Sequence, residues 1–206
     1  MRHQASRALH GYWDSLRNGQ VLPDRNDLDP SIMGRLLQDI FILGKASDEG
    51  WIYRVAGTRL TSLAGRDLKD DLFQRWWKQE DRADITRMIR AVADEGVAMV
   101  GGVDGTDARG ARHEMELLLL PLRHGGKARI RIIGGLFPSA KTAQQLGLSF
   151  DEIGLLSLRS LSAVNAPGAP VFGEPRVAME SASERRRNWR VIEGGRIESD
   201  RVKTEA

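Results

Sequence analysis

Apolar residues recur at helical spacing over residues 4–17, where Ala5, Leu9, Tyr12, Trp13 and Leu16 share one broad face. The pattern predicts an amphipathic helix that must dock on something. Asn18-Gly19 would end it, because a left-handed residue costs least there. The stretch LPDRNDLDP cannot continue a helix through Pro23 and Pro30. Asp29-Pro30 then supplies an N-cap and a first-turn proline for a short helix over 31–37. Two strand-like runs follow, 39–45 and 50–56, close enough to pair as an antiparallel hairpin. Between 57 and 78 the chain breaks into pieces that fit two or three short helical turns. Residues 79–95 predict a longer helix with Ile85, Met88, Ile89, Val92 and Ala93 on one face and Gly96 at its end. Three more strands, 97–103, 111–122 and 128–136, are separated by DGTDARG and RHGG, both natural hairpin connections.

Two strands, a helical crossover and three strands make an α+β fold: a five-stranded antiparallel sheet with helices on one face. The N-terminal amphipathic helix is left to cover the other. The chain therefore divides into 1–38 (helix, loop and short helix), a core over 39–138, an extension over 139–163 and a tail over 164–206. The extension carries Leu146, Leu148, Phe150, Ile153, Leu155, Leu156, Leu158 and Leu161 and is expected to pack on the core or on a partner. The tail turns to Pro, Gly, Ser, Glu and Arg with few large apolar residues, a composition that reads as disordered.

Composition removes several function classes. There is no cysteine, so thiolate catalysis, cysteine-ligated metals and disulfides are excluded. No run approaches the roughly 20 apolar residues of a membrane span, and the N-terminus lacks a signal-peptide core. A cytoplasmic address without membrane partners is expected. The pI is near 9.5, yet the net charge is only +3 and no basic stripe is interleaved with aromatics, so no nucleic-acid partner is expected.

The element order and several short motifs together resemble a known family. The motifs are Tyr12-Trp13 with Leu16-Arg17 and Gly19, Leu22-Pro23-Asp24-Arg25, Asp29-Pro30 and Leu36-Leu37. Next come Tyr53-Arg54-Val55-Ala56-Gly57-Thr58 and Gly65-Arg66-Asp67-Leu68, then Leu119-Leu120-Pro121-Leu122 and Ile133-Gly134-Gly135. Across residues 10–162 the chain resembles the small PAS-type family of alphaproteobacteria formerly catalogued as a domain of unknown function. That resemblance implies a stand-alone sensory or regulatory domain in bacterial signalling. It also implies a small-ligand pocket between sheet and helices, and dimerisation through an N-terminal helix.

Candidate chemistry is sparse. The four histidines offer no spacing for three or four metal ligands, and only His113, at a strand start, could reach the interior; a rim position or a ligand contact are both open. Haem is not supported because residues 79–95 hold no histidine, and cysteine-linked flavin and covalent chromophores are not supported without cysteine. The cofactor is left unknown. Glu114 and Glu116 share a strand face opposite Met115, Leu117 and Leu119, as expected of a solvated outer face. Trp76 and Trp77 fall where the pocket would be lined, but neighbours in one helical turn are not expected to enter the same core. Arg54, in an apolar strand, should pair with Asp29 or Asp39, or bind an anionic ligand. Tyr53, Arg54, Thr58, Trp76, Trp77 and His113 form the candidate ligand site. Leu9, Tyr12, Trp13 and Leu16 form the candidate dimer or partner face. In the tail, Arg185-Arg186-Arg187 and Arg190 match half of a cyclic-dinucleotide motif whose second half is missing. The expected function is therefore regulatory and not enzymatic: ligand binding, protein contact or both, with output through an unidentified signalling protein. A ligand-free dimeric adaptor and a small-molecule enzyme using the same cavity are the alternatives.

Overall fold

A computed structural model describes residues 1–46, 50–125, 130–145 and 147–161. The tail with its arginine run and Leu146 lie outside the described residues. Helix α1 (Gln4–Ser15) begins at His3, whose ring accepts a hydrogen bond from the Ala5 amide. The proline-rich stretch then forms a 3₁₀ turn (Arg25–Asp27), helix α2 (Pro30–Met33) and a second turn (Gly34–Asp39). Asp29 caps α2 through the Ser31 amide, 2.8 Å away. Strands β1 (Ile40–Ala46) and β2 (Gly50–Ala56) make the first hairpin. Helix α3 (Thr58–Ala64) and 3₁₀ turns at Phe73–Trp76 and Gln79–Asp81 lead into helix α4 (Arg82–Asp94). Strands β3 (Ala98–Thr106), β4 (Arg112–Arg123) and β5 (Ile130–Pro138) follow.

The sheet has six strands in the order β2-β1-β5-β4-β3-β6, not the five expected. The sixth comes from the apolar extension: after a single helical turn, α5 (Ala140–Ala143), strand β6 (Ile153–Leu161) pairs antiparallel with β3. Without it β3 would present a bare row of amides and carbonyls along a mostly buried strand. Edge pairing of that kind is what an apolar neighbouring segment satisfies most cheaply.

Both faces of the sheet are dry. In β4, Leu117 and Leu119 enter one core while Leu118, Leu120 and Leu122 enter the other. The inner core lies under α3, α4 and the short turns, and the anticipated face of α4 is buried there in full. The outer core is closed by α1, whose Leu9 and Trp13 lie on Val100, Leu118, Leu120, Leu122, Ile133 and Phe137. Trp13 also donates its indole N–H to Pro121 O at 2.8 Å. Leu9 is 0% exposed and Trp13 5%, so these two side chains face the sheet and not a dimer or partner surface. These two side chains are consumed by the chain's own sheet, because β3, β4 and β5 are apolar on both sides and need a lid. Tyr12 is half-buried and accepts from the Asp29 amide at 2.7 Å, and Leu16 is half-buried.

The outer end of β4 is likewise not a simply solvated face. Glu114 is exposed, but half-buried Glu116 accepts the Arg2 and His3 amides at 2.7 and 3.1 Å. The carboxylate thereby ties the start of α1 to the sheet. Among the described residues no helix is long and apolar enough to cross a membrane.

Candidate functional site

The space between helices and sheet is filled almost to closure. Phe41, Tyr53, Leu60, Phe73, Trp76, Trp77, Leu117, Leu136 and Ile153 surround a cavity of about 10 Å³, room for roughly one water. Phe41, Tyr53 and Phe73 form a ring cluster with centroids 5.4–5.6 Å apart, and Trp77 joins it at 5.7 Å from Phe73. Gly134 makes this packing possible: a Cβ there would sit 2.3 Å from Phe41 Cζ. Burial pushes the Tyr53 phenol well up, so it stays neutral.

Three of the six candidate ligand residues meet here, and three do not. Trp76 and Trp77 both line the cavity, and each is 1% exposed. The helical-turn argument against two neighbouring tryptophans fails because the 3₁₀ turn ends at Trp76. Trp77 is extended, at φ −93° and ψ 146°, so the two side chains are not held to a helical offset. Their polar atoms differ: Trp76 Nε1 donates to Phe150 O at 3.0 Å, whereas buried Trp77 Nε1 has no partner among the described residues. Tyr53 is the third cavity residue.

Arg54 lies on the surface, bonded to Asp70 at 3.2 Å instead of Asp29 or Asp39. A bulge between Ile42 and Leu43 in the β1–β2 pairing leaves Arg54 without a cross-strand partner, and it projects over Gly44. Asp39 is met instead by Arg59, through both carboxylate oxygens at 3.0 and 3.1 Å. Burial pushes the Asp39 carboxyl up to about 6, with Arg59 opposing. Thr58 is exposed at the start of α3, away from the cavity. His113 is buried, not on the rim: it bonds Asp107 Oδ2 at 3.0 Å and lies against Phe150. It does not line the cavity, since that bond holds it at the β3–β4 turn. Among the described residues no group of three metal-binding side chains converges.

Sequence reasoning missed the part the extension plays here. Ile153 lines the cavity and bridges Trp77, and its carbonyl accepts the Lys78 amide at 2.9 Å. The Phe150 amide donates to Leu63 O at 2.7 Å, and the Leu155 amide to Asp81 Oδ2 at 2.9 Å. Burial raises the Asp81 carboxyl, with that amide opposing. The signal was present as the apolar run Ile153, Leu155, Leu156, Leu158 and Leu161 that follows Asp151, but nothing local said which edge it would join.

A second concavity, open and about 690 Å³, lies where Gly34–Gln38 meets the end of β2. Arg35, Leu37, Val55, Gly57 and Thr58 are among its lining residues. Gly57 sets its floor, since a Cβ there would fall 2.3 Å from Leu37 O and 2.4 Å from Gln38 O.

The family model described as PAS domain matches residues 1–137. Similar solved structures include the dark state of the blue-light photoreceptor Aureochrome1 LOV, at 14% identity and TM-score 0.42, covering 56% of this chain and 87% of that one. The Rhodobacter sphaeroides LOV protein is 15% identical with TM-score 0.40, covering 50% of this chain and 60% of that one. An RNA-binding light-oxygen-voltage receptor is 17% identical with TM-score 0.41, covering 57% and 36% respectively. No curated protein matches the chain.

Proposed function

The chain belongs to the PAS domain family, and we propose that it is a sensory or regulatory domain that works by contact with a partner protein, its inner site filled by its own side chains. The carrying observation is the cavity of about 10 Å³ inside nine apolar and aromatic residues. Small-molecule sites ordinarily offer about 300 Å³ or more. The same lining speaks against catalysis at this position: Tyr53 is its only titratable group, and burial keeps the phenol protonated. Haem or a flavin would need the aromatic cluster to be displaced, and a flavin adduct would need a cysteine the chain does not have.

One observation favours a small-ligand sensor as the second reading. Among the described residues Trp77 Nε1 is a buried donor without a partner, and Trp77 lines this cavity; such a group would reward an acceptor placed beside it. Native mass spectrometry of the purified protein, run beside a denatured control, separates the two. The expected result is the mass of the polypeptide alone. A reproducible extra mass lost on denaturation would overturn the contact-only reading in favour of the sensor.

A further inference from the structure

The open groove has two walls, and each runs directly into one half of an ion pair. Residues from 34–38 form one wall, and the next residue is Asp39. Residues 55–58 form the other, and the next residue is Arg59. Two ties join the walls at this end. The Gly57 amide donates to Ile40 O at 2.9 Å, a backbone bond that does not titrate. The Arg59 guanidinium donates to the Asp39 carboxylate, a tie that does.

The ion pair is lopsided. The Asp39 side chain is 7% exposed, whereas that of Arg59 is 31% exposed. Both carboxylate oxygens take their bonds from one guanidinium nitrogen, Nη1, at 3.0 and 3.1 Å, and among the described residues nothing else bonds them. A buried carboxylate with a single donor is costly while it is charged, and that charge obliges Arg59 to stay. Once protonated, the carboxyl can remain buried by itself and Arg59 can turn to water. The other charged groups on the elements around Asp39 are few. Helix α2 carries none, and α3 carries only Arg59. Lys45 in β1 and Arg131 in β5 stand four or more positions along their strands from the Ile40–Gly135 pair that follows Asp39. Arg35, on the same turn as Asp39, is exposed.

We infer that Asp39 and Arg59 form a proton-released latch across the groove: a proton taken up by Asp39 frees Arg59 and loosens the hold of one wall on the other. The Gly57–Ile40 backbone bond keeps the walls from parting, so the response is a change in firmness and not an unfolding. Burial, with Arg59 opposing, sets the carboxyl at about 6, where modest acidification is enough to charge or discharge it. The inference concerns this pair alone and stands whether or not the domain works by contact.

The test follows amide hydrogen exchange of the purified full chain between about pH 7.5 and about pH 5, corrected for intrinsic rates, with a carbon NMR titration of the Asp39 carboxyl beside it. Amides of residues 34–38 and 57–60 are expected to exchange roughly threefold or more faster at the acid end. Amides of β4 should slow or stay unchanged, because the same proton stabilises the fold as a whole. These opposite signs separate a local latch from a global effect. Asp39→Asn, which has no charge to hold, should show the fast groove exchange at both pH values. Arg59→Gln should move the carboxyl midpoint upward, since the guanidinium opposes the effect of burial. Groove exchange indifferent to pH would overturn the proposal. So would a pH response that survives Asp39→Asn, or a midpoint unmoved by Arg59→Gln.

Discussion

The two faces of this sheet are differently built. The inner face is packed with rings contributed by strands and short turns, Phe41, Tyr53, Phe73, Trp76 and Trp77, with α4 adding aliphatics. The outer face is mainly aliphatic sheet beneath one helix, pinned by Leu9, Trp13 and the Trp13–Pro121 bond. A core assembled from many short pieces fills nearly all its volume, since each piece adjusts separately. A core closed by one rigid helix ends where the helix ends, and among the described residues Val55 and Leu37 stay 46% and 40% exposed. For this domain the difference separates a sealed interior from an edge where, among the described residues, apolar surface stays exposed.

That contrast can be broken most directly at Trp13. Trp13→Ala removes both the indole packing and its hydrogen bond, and should destabilise the fold by about 3–5 kcal/mol in urea unfolding. A loss under about 1 kcal/mol would mean that α1 is not the lid of the outer face. The next largest effect is expected at Asp39. Its carboxyl is raised to about 6 in the fold from 3.8, so between those values the folded state keeps a proton that the unfolded chain releases. Stability from this group is therefore present at low pH and falls as pH rises from about 4 to about 6, by on the order of 2 kcal/mol. Comparing stability against pH for the parent and Asp39→Asn should show a steeper downward slope in the parent, Asp81 contributing to both; parallel curves would remove Asp39 as its source.

A smaller effect sharpens the inner face. Trp76→Phe gives up the bond to Phe150 O and should cost about 1 kcal/mol more than Trp77→Phe, whose indole N–H has no partner to lose. Equal costs in parallel denaturation curves would show that the two indoles are held alike. The smallest effect is expected at the start of α1. Glu116→Gln keeps the size of the side chain but weakens the acceptor of two amides, and should lower stability by about 0.5–1 kcal/mol. No change would confine Glu116 to a surface role.

Much of the fold could be read from pattern alone. Helical spacing located α1 and α4, strand alternation located β1 to β5, and Asp29-Pro30 announced the start of α2. These features are local, because a helix or strand records which of its faces is buried in the order of its own residues. The candidate site was only half legible. Tyr53, Trp76 and Trp77 could be placed by residue type, because large aromatics near a predicted core rarely stay outside. Arg54 and Thr58 stand away from the cavity because Arg54 follows inward-facing Tyr53 and takes the opposite strand face, while Thr58 opens α3 beyond the end of the strand. His113 was drawn inward by Asp107, six positions earlier, across a turn whose closure only the folded hairpin defines.

The sequence by itself therefore determined which segments are helix and strand, that the fold is α+β of PAS type, and that thiol chemistry has no place in it. Tertiary structure decided the rest. It gave the extension to the free edge of β3, spent Leu9 and Trp13 on the chain's own sheet, and closed the cavity around both tryptophans. The physical reason is that amphipathicity states that a face must be buried but not against what. The choice of partner depends on edges, bulges and lid lengths that exist only once the strands are side by side.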